Sequence, residues 1–421
     1  RTKDSSGGAG VLGVYMDFVW KDGGVCAPKG FKASGVHCGI RKNKTKKDLA
    51  LIVADKPCSA AAVYTTNKVY GAPIVVTREH LKNGVAKAVI CNSGNANTCN
   101  ADGVAKANAM AELVERFAGV DKNDVIVAST GVIGQVLPLE PIESGMRSLV
   151  DGLSYSGSGD AAEAIMTTDT VKKEFALSYE TEGKTVTIGA MAKGSGMIHP
   201  NMATLLCFVT TDAAVSSAML DAALREAVAD TLNMVSIDGD TSTNDMLSVM
   251  ASGEAGNAEI TQKDESYAMF VGALTELLTK VSRGIAKDGE GATKLMECVV
   301  KGAPDKACAK RIAKSVITSS LLKAAVFASD ANWGRILCAI GYAEGDFDVS
   351  KISVDISSAN GSVRVCENGS GVDFSEEQAT KVLDRDEFTI TVNLFDGSAE
   401  ATAWGCDLTY DYVKINADYR T

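Results

Sequence analysis

The stretch Met191-Ala-Lys193-Gly-Ser-Gly-Met-Ile-His-Pro200-Asn-Met-Ala203-Thr204-Leu-Leu-Cys207 carries the residues with the most chemical potential in this chain. The small residues after Lys193 suit a tight, exposed turn that presents a cation. Pro200 stiffens the path, and Thr204 then enters an apolar run. A threonine at a newly made chain N-terminus can use its own α-amine as the base for its hydroxyl, which removes the need for histidine. That chemistry requires the Ala203–Thr204 peptide to break, and the methyl-sized Ala203 leaves its carbonyl open to attack. For most Ala-Thr pairs the plainer reading holds: a loop feeding a core strand.

Other candidates are weaker. The chain has 3 histidines, His37, His80 and His199, too few for a triad or a multi-histidine metal site without using a large share of them. His80, in a charged helix-like stretch, is expected on the solvated surface, and His199 in a loop. Asp238-Gly-Asp240-Thr-Ser-Thr-Asn-Asp245 is the densest carboxylate cluster and superficially resembles a calcium loop. Thr243 and Val249 stand where the central Gly and closing Glu belong. An Mg²⁺ site is conceivable there, but a buried turn whose Asp and Thr side chains satisfy backbone N–H groups is the favoured reading. No metal ligands are assigned. The 11 cysteines are scattered, without a Cys-x-x-Cys pair. Cys91, Cys207 and Cys338 sit in apolar company and are expected to be buried as small hydrophobes. A reducing compartment follows, in which the sequons at Asn43, Asn360 and Asn368 carry no meaning.

Several elements must position these groups. Leu49 to Ala54, Ala86 to Cys91 and Val125 to Ala128 read as buried strands, the last running into the turn Ser129-Thr130-Gly131. Thr185 to Met191 leads to Lys193, and Thr204 to Thr210 is a β-branched, apolar strand. Gly103 to Phe117 reads as a helix. Around Ser216 to Leu232, Leu220, Leu224, Val228 and Leu232 recur at i+4, with Ser216 and Ser217 as caps. Phe270, Leu274, Leu278 and Val281 repeat that spacing within Glu265 to Ala286. Leu295 to Val300 is a strand and Lys306 to Leu322 a third helix. Beyond Ser350, Ile352-Val354-Ile356 and Thr389-Thr391-Asn393 alternate with period two beside Asn-Gly and Asp-Gly turns, a strand-rich C-terminal portion. Arg1 to Tyr15 is Gly/Ser-rich without a start Met and reads as an expression remnant or disordered segment, left out of the fold. Its Gly8-x-Gly10-x-x-Gly13 lacks a strand before it, so the match to a dinucleotide fingerprint is accidental.

With 421 residues the chain suggests two or three domains, or one large layered one. Its 42 basic and 53 acidic residues leave a net charge of −11, and no basic stripe offers itself to nucleic acid. Apolar residues make up 46%, enough for a real core, yet no run approaches the ~18 residues that a membrane span needs.

Lys193-Gly-Ser-Gly-Met-Ile-x-Pro-Asn-Met-Ala-Thr204 is similar to the autoprocessing signature of the ornithine acetyltransferase (glutamate N-acetyltransferase, ArgJ) family. Bifunctional members of that family also act as N-acetylglutamate synthases. Further segments agree: Cys91-Asn-Ser-Gly-Asn-Ala-Asn97, Ser129-Thr-Gly-Val-Ile-Gly134, Ile165-Met-Thr-Thr-Asp-Thr170, Asp238 to Asp245, Asp288-Gly-Glu-Gly-Ala-Thr293, Ser329-Asp-Ala-Asn-Trp-Gly-Arg335 and Cys406 to Thr421. The resemblance runs from about Gly30 to Thr421.

It implies an α/β fold, a layered α/β/β/α sandwich. It also implies self-cleavage at Ala203–Thr204 into an α chain (16–203) and a β chain (204–421), with 350–421 the strand-rich part. The acetyl group of N2-acetyl-L-ornithine would pass to Thr204 and then to L-glutamate, two half-reactions with ping-pong kinetics in arginine biosynthesis. Thr130 and Gly131 would form the oxyanion hole. Thr167, Lys193, Thr204, Glu290, Asn416 and Thr421 would contact substrate, Lys193 suiting an α-carboxylate and Glu290 an amine. No cofactor is implied, with acetyl-CoA a conceivable co-substrate. The expected assembly is α2β2 in the cytoplasm, with no membrane and no nucleic acid partner. Because the net charge of −11 offers no steering for glutamate, local cations must supply it. One rival is a self-processing aminopeptidase or amidase on the same fold. Another is a metal- or nucleotide-binding protein built on Asp238 to Asp245, which predicts an uncut chain.

Overall fold

The computed structural model describes residues 8–9, 15–199 and 205–418. Two compact units emerge: Arg1–Gly194 with Asn201–Leu232 and Thr241–Val281, and Ser195–Pro200 with Asn233–Asp240 and Ser282–Thr421.

In the first unit, β1 (Gly8–Ala9) and β2 (Tyr15–Met16) form a short antiparallel pair. The other residues of the presumed remnant lie outside the described ones. There follow β3 (Val19–Lys21), β4 (Phe31–Val36), β5 (Leu49–Tyr64), α1 (Ala72–His80), β6 (Val85–Asn92), α2 (Gly103–Ala118), β7 (Val125–Ser129), α3 (Leu139–Asp151) and α4 (Ser158–Ile165). The unit continues with β8 (Lys173–Thr181), β9 (Lys184–Lys193), β10 (Leu206–Thr211), α5 (Ser217–Asp230), β11 (Met246–Ala251) and α6 (Glu265–Lys287), whose last residues pass into the second unit. Nine strands make one sheet, ordered β3-β8-β9-β10-β11-β5-β6-β7, with β4 also paired to β5.

Strand periodicity divides the core. Leu49, Leu51, Ala88, Ile90, Val125 and Val127 face one apolar cluster, where α2 and α3 supply Met110, Val114, Ile142 and Met146. Their alternates Ala50, Ile52, Val89, Cys91, Ile126 and Ala128 face another, with Phe31, Phe208 and the α4 residues Ala161 and Ile165. Both faces of β5, β6 and β7 are therefore covered, which is why these strands read as continuous apolar runs. Leu220, Leu224 and Val228 of α5, and Phe270, Leu274, Leu278 and Val281 of α6, are all buried as their spacing requires. Ser216 caps α5 by accepting from Met219 N.

The second unit holds β12 (Leu295–Ala303), α7 (Lys306–Thr318), α8 (Ser320–Phe327), α9 (Trp333–Gly341), β13 (Ser353–Ser358), β14 (Gly361–Glu367), β15 (Ser370–Gly371), α10 (Glu376–Leu383), β16 (Glu387–Asn393), β17 (Ala399–Cys406) and α11 (Tyr410–Ala417). Its six-stranded sheet runs β15-β14-β13-β16-β12-β17. The α/β class and the strand-rich C-terminal portion are as the sequence leads one to expect.

Four local expectations need correction. The helix expected over Lys306 to Leu322 is two helices, because Ser319 leaves helical geometry and its hydroxyl caps α8 at Leu322 N. Tyr410 to Ile415, an aromatic and strand-like run, is helix α11, with Tyr410 85% and Val413 66% exposed; no buried face forces alternation there. His80 is half-buried, its Nδ1 2.7 Å from Val125 O, because it closes α1 against the start of β7. Cys338 is exposed on α9, whereas Cys91 and Cys207 are buried; all eleven thiols are free.

Ile126 has no exposed surface and no room to be replaced by water. Ile126→Ala should lower unfolding free energy by about 2–5 kcal/mol. In urea titration the midpoint falls with the slope unchanged; a slope change would mean that the unfolded or native ensemble itself had altered.

Candidate active site

Within the first unit, β6 and β7 run parallel and end side by side, Asn92 opposite Ser129. The turns that follow are tied together by side-chain amides. Asn92 Nδ2 donates to Ser129 Oγ at 2.7 Å, while its Oδ1 accepts from Gly94 N at 3.2 Å and Asn95 N at 3.0 Å. Thr130 N donates to Asn92 O at 2.9 Å. From the loop before β11, Asn244 Nδ2 donates to Ser129 O at 2.9 Å and Ala96 O at 2.6 Å, and its Oδ1 accepts from Thr98 Oγ1 at 2.6 Å. Gly131 has φ +128°, and a Cβ there would lie 2.7 Å from Asn95 N. Only glycine brings the backbone so close in this conformation. Thr130 and Gly131 thus sit at a strand end with their backbone fixed from three directions.

Lys193 closes β9 and is buried, 8% exposed, with Nζ 3.4 Å from Thr130 Oγ1. Asp169 lies on the turn before β8. Its Oδ2 accepts from Thr167 N at 3.0 Å, and its Oδ1 accepts from Gly194 N at 2.8 Å and Lys173 Nζ at 2.7 Å. One carboxylate therefore fixes the backbone beside Lys193 and beside Thr167. Burial raises the Asp169 carboxyl, but the charges of Lys173 and Lys193 and the Gly194 N–H outweigh it and hold it at about 2. Arg41 reaches the same region, donating from Nε to Ser93 O at 2.8 Å and from its guanidinium to Met166 O. Asp245, at the start of β11, is pushed well above the usual carboxyl range by burial, against the pull of Ser242 and Lys193. Its Oδ2 is buried without a hydrogen-bond partner among the described residues.

In the second unit Glu290 occupies a glycine-flanked turn. Glu290 N donates to Ser195 O at 2.9 Å, and Ser195 Oγ donates to Asp288 O at 2.7 Å. A Cβ on Gly196 would lie 2.3 Å from the Glu290 carboxyl carbon, so that glycine makes room for the carboxylate. Asn416 on α11 donates from Nδ2 to Glu290 Oε2 at 2.7 Å, and Thr409 Oγ1 anchors the turn at Gly291 O, 2.7 Å away. The Asp238 carboxylate accepts from Met197 N at 2.6 Å and Ile198 N at 2.8 Å, so it satisfies backbone N–H groups as expected, but the turn is not buried: Asp238 is half-buried, and Gly239 and Asp240 are exposed. Among the described residues no group of three or more His, Cys, Asp or Glu side chains could hold a metal.

The expected residues thus fall into two groups, Thr130, Gly131, Thr167 and Lys193 in one unit and Glu290 and Asn416 in the other. Ala203, Thr204 and Thr421 lie outside the described residues. The nearest described neighbour of Thr204 is Leu205, whose carbonyl accepts from Met246 N at 2.9 Å. Sequence reading missed Asn92, Asn244, Asp169, Lys173 and Arg41 as individual residues, although the first three lie in segments that carried the family resemblance. Their signal was polarity in runs otherwise apolar enough to be buried.

The family model of the ArgJ family matches residues 32–421. An arginine biosynthesis bifunctional protein ArgJ of Symbiobacterium thermophilum is 51% identical over 96% of this chain and 100% of its own. That of Clostridium acetobutylicum, ArgJ 1, is 50% identical over 93% and 96%. A crystal structure of the bifunctional protein from Bacillus halodurans is 44% identical and covers 50% of this chain and 97% of that one, at a TM-score of 0.48. With relatives of this identity, the chain is an acyltransferase of arginine biosynthesis. It belongs to the ArgJ family. No described helix is long and apolar enough to cross a membrane.

His199 is half-buried against Ser236 Oγ, 3.0 Å from its Nδ1, and burial together with the Lys314 charge pushes its pKa down to about 4. The unfolded chain therefore binds a proton near pH 6.5 that the folded chain refuses until about pH 4. Stability should fall as pH drops through that window, and His199→Gln should flatten the fall. Urea midpoints from pH 7 to 4 give the comparison; parallel curves would return His199 to an ordinary solvated loop residue.

Proposed function

We propose that this enzyme moves the acetyl group of N2-acetyl-L-ornithine to L-glutamate through an acetyl ester on Thr204, after cutting its own chain at Ala203–Thr204. In the cut, the Thr204 hydroxyl attacks the Ala203 carbonyl, the acyl group shifts from N to O, and water hydrolyses the ester. The freed α-amine then takes the proton of the same hydroxyl as it attacks the acetyl carbonyl. Ornithine leaves with its amine reprotonated, and the glutamate amine attacks the ester to regenerate Thr204. Every step uses protein groups and water, so no cofactor enters. Acetyl-CoA can act as donor in the same first half-reaction, in keeping with the word bifunctional in the relatives' names. An α2β2 assembly in the cytoplasm belongs to the same proposal.

The observation that carries this reading is the placement of Lys193 Nζ 3.4 Å from Thr130 Oγ1, beside the Gly131 backbone, in a chain of the ArgJ family. The Thr130 hydroxyl and Gly131 N–H are suited to an oxyanion, and one such donor is worth about 3 kcal/mol of barrier. Lys193 suits the α-carboxylate of either amino acid. The Glu290 carboxylate, oriented by Asn416, suits an ammonium group, and Thr167 and Thr421 complete the proposed contacts.

Two variants test it. Thr204→Ala should run as one chain on a denaturing gel and transfer no acetyl, where the parent runs as fragments of 1–203 and 204–421. Rapid cleavage of that variant at the same bond would defeat the self-processing mechanism. Thr130→Val should lower kcat about 10²–10³-fold with KM little changed, because charge develops on the oxyanion only in the transition state. A rise in KM with kcat intact would make Thr130 a binding group instead.

A further inference from the structure

We infer that Lys173 is a positioning residue whose charge is spent on Asp169 so that Lys193 keeps its own charge for a carboxylate of the substrate. The inference rests on the proposed function and deepens it at the anionic end of the substrate. Asp169 and Lys173 form an ion pair at 2.7 Å with side chains 0% and 2% exposed, so neither charge is shared with solvent. The same Asp169 oxygen that accepts from Lys173 also accepts from Gly194 N, the backbone next to Lys193. Lys193 is itself buried, and among the described residues its side chain makes one hydrogen bond, the long one to Thr130 Oγ1. Two cations thus share one anion, and geometry assigns the anion to Lys173. The second nearby carboxyl, Asp245, does not compete, since burial favours its neutral form. One positive charge is left over, in a setting of low dielectric where it acts strongly on an arriving anion.

Without the Lys173 charge, the buried Asp169 carboxylate would have only Lys193 to satisfy it, because a lone buried charge is costly. Lys193 would then be drawn to Asp169 and withheld from substrate. A purely structural role for the pair would instead harm every substrate alike.

The test uses wild-type enzyme and Lys173→Gln, each with N2-acetyl-L-ornithine and with its α-carboxamide, which lacks the anion. Wild type should prefer the acid, and Lys173→Gln should shrink that preference about ten-fold, through KM for the acid with the amide nearly unaffected. Lys173→Arg, which keeps the charge, should retain the preference. Equal losses for acid and amide, or an unchanged KM for the acid, would overturn the assignment. If Lys173→Gln fails to fold, Lys173→Met takes its place. A chain that folds with neither makes the pair a folding element, and the inference fails. Absence of transfer by wild type would defeat the proposed function and this inference with it, whereas transfer by wild type with equal losses for acid and amide defeats the inference alone.

Discussion

A carboxylate with no access to water sits where the turn before β8 meets the end of β9. Asp169 collects Thr167 N, Gly194 N and the Lys173 ammonium on two oxygens, so that a single side chain ties three separate donors together. Burying such a charge is tolerable only when it is fully paired. Because it is, the backbone at Gly194, next to Lys193, and at Thr167 is set by the fold and not by a ligand. Preorganisation of this kind is what lets a polar site act without reorganising when a ligand arrives.

The amide side chains extend the same logic to the ends of β6 and β7. Parallel strands that finish together leave adjacent turns with N–H and carbonyl groups that the sheet ladder does not pair. Asn92 and Asn244 supply the missing partners, and Gly131 allows the two turns to touch. An asparagine can donate and accept at once, which a carboxylate cannot do. Neutral amides therefore close this turn without adding charge beside Thr130 and Gly131, the proposed oxyanion donors.

Much of the fold was legible because burial writes itself into spacing. The i+4 leucines of α5 and α6 and the doubly covered strands β5 to β7 left strong patterns. β5 was legible only over Leu49 to Ala54, because Asp55-Lys56-Pro57 turns outward across a register shift before the strand resumes pairing at Cys58. Tyr410 to Ile415 misled because an exposed helix needs no apolar stripe, so aromatic content spoke louder than period. At the site, the long Lys193 to Thr204 motif stood out, whereas Asp169 and Lys173 did not. Four residues apart, opposite in sign, they look like a solvated helical pair. Their true setting, a turn entering a buried strand, depends on contacts with Gly194 that no local window contains.

The strand order has a consequence for molecularity. β9 precedes the proposed cut and β10 follows it, yet they are hydrogen-bonded neighbours, and β11 in turn lies between β10 and β5. Interior strands from the two products would interleave in one sheet, so breaking the peptide would not release either piece. It would, however, change what folding means. The uncut chain assembles this sheet in a unimolecular process, while the cut one could regain it only by two chains meeting, at a rate set by their concentration. Once processed, the molecule would persist by its barrier to unfolding more than by its ability to refold.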